Sequence, residues 1–296
     1  MTIQNKLKGT GVAIVTPFRK DSSIDFLSLE KLVKHLLENG VDYLVVLGTT
    51  GEAATLNNDE KKAVLNFVIE TVDKKVPIVA GFGGNNTSEI VSSIKHYNFN
   101  GIDAILSVAP YYNVPSQKGL YNHYKAIAAA SALPVILYNV PGRTSVNISA
   151  ETSLKLAHDI ENIVAVKEAS GNFAQIMQIL RDKQKDFMVI SGDDLLTLPL
   201  ISLGIHGVIS VTANAFPKEY SNIIGLALKG KFKEAMSIQT SMLDIMQTLF
   251  VEGNPAGVKA ALKILDIIPN YLRQPLEPVS KTTYNKLSKL IEELQA

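Results

Sequence analysis

Ile163-Val164-Ala165-Val166-Lys167-Glu168-Ala169-Ser170-Gly171 is an apolar run of four residues that ends in a lysine and a small polar turn. A continuous apolar run of this length fits a strand buried on both faces, as in a parallel sheet covered by helices. Alternation puts Ile163, Ala165 and Lys167 on one side and Val164 and Val166 on the other. Branched residues suit the side packed on helices. The opposite side then carries Lys167 to the strand's C-terminal end, the face of a parallel barrel where chemistry is done. A lysine there has two readings. It caps the strand and snorkels to water, the commoner case since lysine is seldom fully buried. Or desolvation lowers its pKa and makes it a nucleophile toward a carbonyl.

Outward from this strand, short apolar runs alternate with longer amphipathic ones. Strands are expected at Gly11 to Thr16, Asp42 to Leu47, Val76 to Ala80, Ala104 to Val108, Pro134 to Tyr138, the Lys167 stretch, Phe187 to Ile190 and Gly207 to Val211. Between them helices are expected at about Asp25 to Glu38, Asn58 to Asp73, Ser88 to Tyr97, Gln117 to Ala132, Ala150 to His158, Asn172 to Arg181 and Leu195 to Leu203. Eight strand–helix units imply parallel strands with right-handed crossovers. The simplest architecture is α/β, a (β/α)8 TIM barrel. An open doubly wound sheet is the alternative, but no Gly-x-Gly-x-x-Gly fingerprint follows the first strand. After about Lys218 the pattern is helical only, at roughly Glu219 to Leu228, Phe232 to Leu249, Pro255 to Leu265 and Lys281 to Leu294. The expected division is a barrel over 1–217, with its eighth helix at about 219–228, and a C-terminal helical extension over 229–296. The extension's plain role is to cover barrel helices or contact another subunit.

Composition narrows the function. The 296 residues are 46% hydrophobic, ample for a sizeable core. A net charge of +1 gives no global attraction to nucleic acid or anionic membrane. There is no cysteine, so disulfides, thiolate catalysis and cysteine metal sites are excluded. The start lacks the apolar core of a signal peptide, and no apolar run reaches the roughly 18 residues of a membrane span. The chain reads as cytoplasmic, with no nucleic-acid or membrane partner. His35, His96, His123 and His158 all fall in expected helices, and His206 precedes the eighth strand. None sits at a strand's C-terminal end, which argues against a catalytic metal.

The strand ends hold the candidates. Thr49 and Thr50, between Gly48 and Gly51, offer hydroxyls and exposed amides, or cap a helix. Tyr111 and Tyr112 lie between Pro110 and Pro115, where aromatic packing is the plainer account. Tyr138 ends the strand beside Lys167. Arg143 offers a fork for a carboxylate, or is a surface arginine. Asp193 and Asp194 read as the start of a helix. Gly81-Phe82-Gly83-Gly84 lacks the Gly-Lys-Ser/Thr of a phosphate loop and reads as a turn. Together the ends hold a lysine, phenols, paired threonines and an arginine, a set suited to amine chemistry on a keto acid. The imine is itself an electron sink, so no cofactor is required.

Six motifs then stand in order on the strand ends: Gly48-Thr49-Thr50-Gly51-Glu52, Pro110-Tyr111-Tyr112-Asn113, Tyr138-Asn139-Val140-Pro141, Arg143-Thr144, the Lys167 strand, and Gly207-Val208-Ile209-Ser210-Val211-Thr212-Ala213-Asn214. On them the chain resembles, over nearly its whole length, the dihydrodipicolinate synthase / N-acetylneuraminate lyase family of class I aldolases, and within it the synthase branch. The resemblance implies a lyase in which Lys167 forms a Schiff base with pyruvate. The enamine then attacks L-aspartate 4-semialdehyde, and the product cyclises, committing carbon to lysine through diaminopimelate. It implies that Tyr138, Thr49 and Tyr112 relay protons, with Tyr112 supplied by a neighbouring subunit of a homotetramer, a dimer of dimers. It implies that Thr50 and the Ile209 backbone touch the pyruvyl group, that Arg143 binds the semialdehyde carboxylate and that Gly192 lines the pocket.

Two departures from the family pattern matter. Gly142 stands where the synthase often has serine, which would loosen Arg143 while leaving imine formation intact. The resemblance also implies an allosteric cleft for lysine at Ala53, Asn58, Lys61, Asn85, Glu89 and Tyr111. Asn58 and Lys61 stand where sensitive members commonly have histidine or acidic groups, and a cationic Lys61 should repel a cationic effector. Weak or absent lysine inhibition is therefore expected. Two other readings compete. One is another pyruvate-dependent aldolase of the family, such as N-acetylneuraminate lyase or a keto-deoxy sugar acid aldolase, against which Arg143 argues. The other is a keto-acid-binding sensor without turnover, against which Lys167, Tyr138 and Thr49 argue.

Overall fold

The computed structural model describes residues 2–295, so Met1 and Ala296, the outer limits of the two expected units, lie outside the described residues. Strands form where the apolar runs stand, and nearly every strand residue is buried, as a sheet covered on both faces requires. They are β1 (Gly9–Ala13), β2 (Tyr43–Val46), β3 (Ile78–Gly81), β4 (Ala104–Val108), β5 (Val135–Asn139), β6 (Ile163–Glu168), β7 (Met188–Ser191) and β8 (Gly207–Ser210). All pair in parallel in chain order, and β8 closes on β1. This is the expected eight-stranded barrel.

The helices are α1 (Ile3–Lys6), α2 (Phe26–Glu38), α3 (Asn58–Val72), α4 (Thr87–Lys95), α5 (Gln117–Ala130), α6 (Pro141–Thr144), α7 (Ala150–Asp159), α8 (Phe173–Asp182), α9 (Thr197–Ser202), α10 (Pro217–Leu228), α11 (Phe232–Thr248), α12 (Ala256–Ile264) and α13 (Lys281–Gln295). Six of them start on a side-chain cap: Asp25, Asn57, Asn86, Ser116, Ser149 and Asn172 each accept a backbone N–H of the first turn. Each such cap contributes about 1 kcal/mol. At α3 the cap is reciprocal, because Glu60 returns to the Asn57 N–H.

The core has two layers. An outer one lies between strands and helices, with Leu29, Leu32, Val33 and Leu36 of α2 as typical members. An inner one fills the barrel, with Tyr43, Leu106, Ile136, Ala165, Met188 and Ile209 among its residues. Tyr43 reaches over Gly11 of β1, and its hydroxyl donates to the Val208 carbonyl of β8 at 3.2 Å. Leu7, just after α1, joins the inner layer, and Lys6 pairs with Asp103 at 2.5 Å ahead of β4. These contacts stopper the N-terminal end and leave the C-terminal end for the site. On the far side of β8, α10 packs on β1 and α9, α11 packs on α10, and α13 packs on α11 and α12.

Several boundaries differ from expectation. β1 starts at Gly9 and ends at Ala13, short of the expected Thr16, because the Asn214 side chain takes over the pairing there. Its Oδ1 accepts from Val15 N–H at 3.1 Å, and its Nδ2 donates to the Ala13 carbonyl at 2.8 Å. Strict alternation also fails at the start of β6. Val135 pairs with Ile163 but Ile136 pairs with Ala165, a bulge at Val164. Ile163 therefore belongs to the outer layer while Val164 packs on the inner one, the reverse of their expected sides. Beyond the bulge, Ala165 faces inward and Val166 outward as expected. His96 follows α4 as its C-cap and so lies just past the helix.

Candidate active site

Lys167 stands one residue from the end of β6, between Tyr138 of β5 and Ile190 of β7. It is 6% exposed, and its Nζ lies 4.1 Å from the centroid of the Tyr138 ring, itself 6% exposed. A cation over a ring is attracted to its face, and the attraction grows when both are desolvated. Among the described residues Lys167 makes no ion pair. Gly192, expected in the pocket wall, sits against the lysine stem. A Cβ there would stand 2.8 Å from Lys167 Cε and 2.7 Å from the Ala169 Cβ, so only a bare backbone fits. Ile209 is buried in the inner layer on β8, beside Gly11 of β1.

A polar network underpins this pair. Glu168 is buried and accepts from Asn139 Nδ2 at 2.9 Å, Gln175 Nε2 at 2.7 Å and Ser170 N–H at 3.2 Å. Burial raises its pKa, and these donors offset part of that rise. Asn139 also donates to Asn147, which donates to Gln175. The ends of β5 and β6, and hence Tyr138 and Lys167, are tied to α8 and the loop before α7.

The β2 end makes a tight turn. Leu47 (φ 61°) and Glu52 (φ 54°) are left-handed, the kind of local strain that collects at functional sites. Thr16 Oγ1 donates to the Gly51 carbonyl at 2.7 Å. The two threonines part company here: Thr49 is exposed and Thr50 is buried. Thr50 Oγ1 accepts from Asn254 Nδ2 at 2.9 Å, and the Asn254 carbonyl accepts from Arg143 Nη2 at 3.4 Å. Arg143 itself is exposed, on the one-turn helix α6, which was expected only as loop. Asn254, ahead of α12, is a site residue that sequence reasoning missed.

A buried ion pair backs the same turn. Glu52 pairs with Lys259 of α12, both side chains fully enclosed. Lys259 also donates to the Tyr271 carbonyl at 2.9 Å and lies 4.3 Å from the Phe18 ring centroid. Burial pushes its amine down to about 8, although Glu52 pulls the other way. Arg273 donates its backbone N–H to Glu52 and its guanidinium, in bidentate fashion, to Glu60.

The remaining candidates sit on other elements and loops of the chain. Tyr112 is 92% exposed at φ 72°, and Tyr111 is 41% exposed. Asn85 Nδ2 donates to the Tyr111 carbonyl at 3.1 Å, so these two members of the expected lysine cleft adjoin. Asn58 and Lys61 sit on the first turn of α3, Ala53 on the short turn before it and Glu89 on α4. Asp193 and Asp194 do not simply open a helix. Asp193 accepts from Leu195 and Leu196 N–H in a turn ahead of α9, while Asp194 Oδ2 ties down Val211 and Thr212 after β8. Among the described residues no cluster of three or more histidines or acids could hold a metal ion.

The arrangement is a buried amine beside a phenol, with two threonines on the β2 turn and an exposed guanidinium linked to that turn through Asn254. The chain matches the dihydrodipicolinate synthetase family over residues 6–294. It is 52% identical over 288 residues to the 4-hydroxy-tetrahydrodipicolinate synthase of Parabacteroides distasonis, covering 97% of each chain. It is 51% identical over 293 residues to the enzyme of the same name from Phocaeicola vulgatus, covering 99% of each. The crystal structure of dihydrodipicolinate synthase from Aquifex aeolicus superposes with a TM-score of 0.94, at 40% identity and 98% coverage of both chains.

Proposed function

The chain belongs to the dihydrodipicolinate synthetase family, and on that premise we propose that it condenses pyruvate with L-aspartate 4-semialdehyde through an imine on Lys167. The observation that carries this reading is the enclosed Lys167 side chain laid over the Tyr138 ring at the C-terminal mouth of the barrel. The Lys167 amine attacks the pyruvate C2, and the carbonyl oxygen leaves as water. Loss of a C3 proton gives the enamine, whose C3 attacks the aldehyde carbon while the aldehyde oxygen takes up a proton. The amine of the second substrate then attacks C2, closes the ring and releases Lys167. Tyr138, with Thr49 and Tyr112, relays the protons. Thr50 and the Ile209 backbone hold the pyruvyl group, Gly192 lines the pocket and Arg143 takes the semialdehyde carboxylate.

Tyr112 reaches a neighbouring chain's site, in a dimer that pairs into a homotetramer. No described helix is long and apolar enough to cross a membrane. Our reading also assigns the reaction to the cytoplasm, on the family resemblance. Residues 1–217, with the eighth helix, form the catalytic barrel, and 229–296 form an extension that backs it. The cleft at Ala53, Asn58, Lys61, Asn85, Glu89 and Tyr111 binds lysine weakly or not at all, because Lys61 adds a like charge. Half-inhibition at sub-millimolar lysine would overturn that last point.

The test is turnover with pyruvate plus L-aspartate 4-semialdehyde, run beside an N-acetylneuraminate cleavage control. Turnover in the first alone is expected. Cleavage in the control alone would keep the amine chemistry and discard the substrate. Silence in both, with no pyruvate trapped on Lys167 by borohydride, would discard the mechanism.

A further inference from the structure

The Thr49–Thr50 turn is held from behind by groups more than two hundred residues away in sequence. Thr50 takes its hydrogen bond from Asn254, and five residues later Lys259 pairs with Glu52, three residues past Thr49. Both Glu52 oxygens are committed, one to Lys259 and the other to the Arg273 N–H at 3.1 Å. Lys259 is equally committed, to Glu52, the Tyr271 carbonyl and the Phe18 ring. The facing charged groups are therefore Glu52 and Arg273, with Glu60 beyond on the guanidinium. Neither partner of the pair is exposed, so neither touches a substrate.

We propose that Glu52 and Lys259 are positioning residues for the reaction. They lock the β2 turn to α12 so that the hydroxyls of Thr49 and Thr50 and the Asn254 amide meet the keto acid in register. This deepens the proposed function and rests on the Thr49–Thr50 turn being part of that site.

The physical case turns on what an enclosed ion pair is good for. Desolvating two charges cancels much of their attraction, and replacing both with apolar groups of similar size is often neutral for stability. The geometry such a pair imposes is harder to replace. Its charge-assisted bonds are directional, and here they fix the αL residue that closes the turn. A neutral pair of similar size would fill the volume but lose the charge-assisted bond to α12 and leave the turn freer to shift, and small misplacements of reacting groups cost turnover.

The test compares wild type with the double variant Glu52→Gln/Lys259→Met, checked for folding by circular dichroism and melting. A kcat reduced about tenfold is expected, with pyruvate still trapped by borohydride on Lys167. In a Thr50→Val background the double change should cost little more, because the pair acts through that turn. A folded double variant whose kcat stays within about twofold of wild type would overturn the proposal, as would full additivity with Thr50→Val. Should the double variant not fold, Glu52→Gln alone takes its place under the same criteria. If that protein does not fold either, the pair is a folding element and the proposal fails. Wild-type turnover in Thr50→Val would instead remove the turn from the site, a failure of the underlying reading.

Discussion

At the scale of the residue, two glycines near the site make opposite demands. A methyl on Gly192 would collide with the Lys167 stem, whereas one on Gly142 meets nothing within 4 Å. Gly192→Ala should therefore move the amine and lower kcat by about tenfold to a hundredfold. Slower borohydride trapping of pyruvate would accompany it, and an unchanged trapping rate would show that Lys167 tolerates the shift. Gly142→Ser should fold and melt as the wild type does, and the readout is the KM for the semialdehyde beside Arg143. An unchanged KM would mean that serine has no part in holding the guanidinium. Lys167→Ala should cost at least about a thousandfold in kcat while the barrel stays folded. Lys167 was legible because a charged residue closing an apolar run has few homes, and Tyr138 because it closes the apolar run of the preceding strand. Asn254 was not legible. It is an ordinary polar residue beside a proline, and only the return of the chain to the mouth of the barrel puts it against Thr50, 204 residues away.

At the scale of the element, strands and long helices were readable from periodicity and caps, but their ends answered to side chains elsewhere. Asn214 finishes β1, Asp193 delays α9, and a bulge turns over the first two residues of β6. The Asn214 contact comes from 199 residues away and leaves no local signal, whereas Asp193 acts locally, on the N–H groups two and three residues ahead. The α3 start shows the energetic side of the same fact. Arg273 holds the Glu60 carboxyl down to about 2, below its ordinary 4.5. The unfolded chain then binds more protons than the folded one between these values, so this stability is present above pH 4.5 and drains as pH falls toward 2. His123, buried on α5 and bonded to Thr87 of α4, is pushed down by burial to about 4 from 6.5. It adds a loss from pH 6.5 toward 4 of the same sign. Urea unfolding across this range should show both. Glu60→Gln should flatten the lower step and spare the upper one. A lower step that survives the change would assign it to other carboxylates.

At the scale of the whole molecule, the chain encloses Lys167 and Tyr138 but turns Tyr112 outward. That residue and Val114 hold positive φ angles, costly for a tyrosine and more so for a branched side chain. A loop that adopts such a conformation and displays an aromatic ring suits a second surface, and in the proposed dimer that surface is the mouth of the partner's barrel. Complementation tests this directly. Tyr112→Phe keeps a working Lys167 but lends its partner no phenol, and Lys167→Ala does the reverse, so each homodimer is impaired at both of its sites. In a hybrid dimer the Lys167 of one chain meets the Tyr112 of the other, giving one complete site and one doubly defective site. Random assortment makes half of the dimers hybrid, so co-expression in equal amounts should recover about a quarter of the wild-type activity. If each chain used its own Tyr112, no hybrid would hold a complete site and the mixture would do no better than the average of its parts. Tandem affinity purification of the hybrid alone sharpens the contrast, since about half of its sites should then turn over.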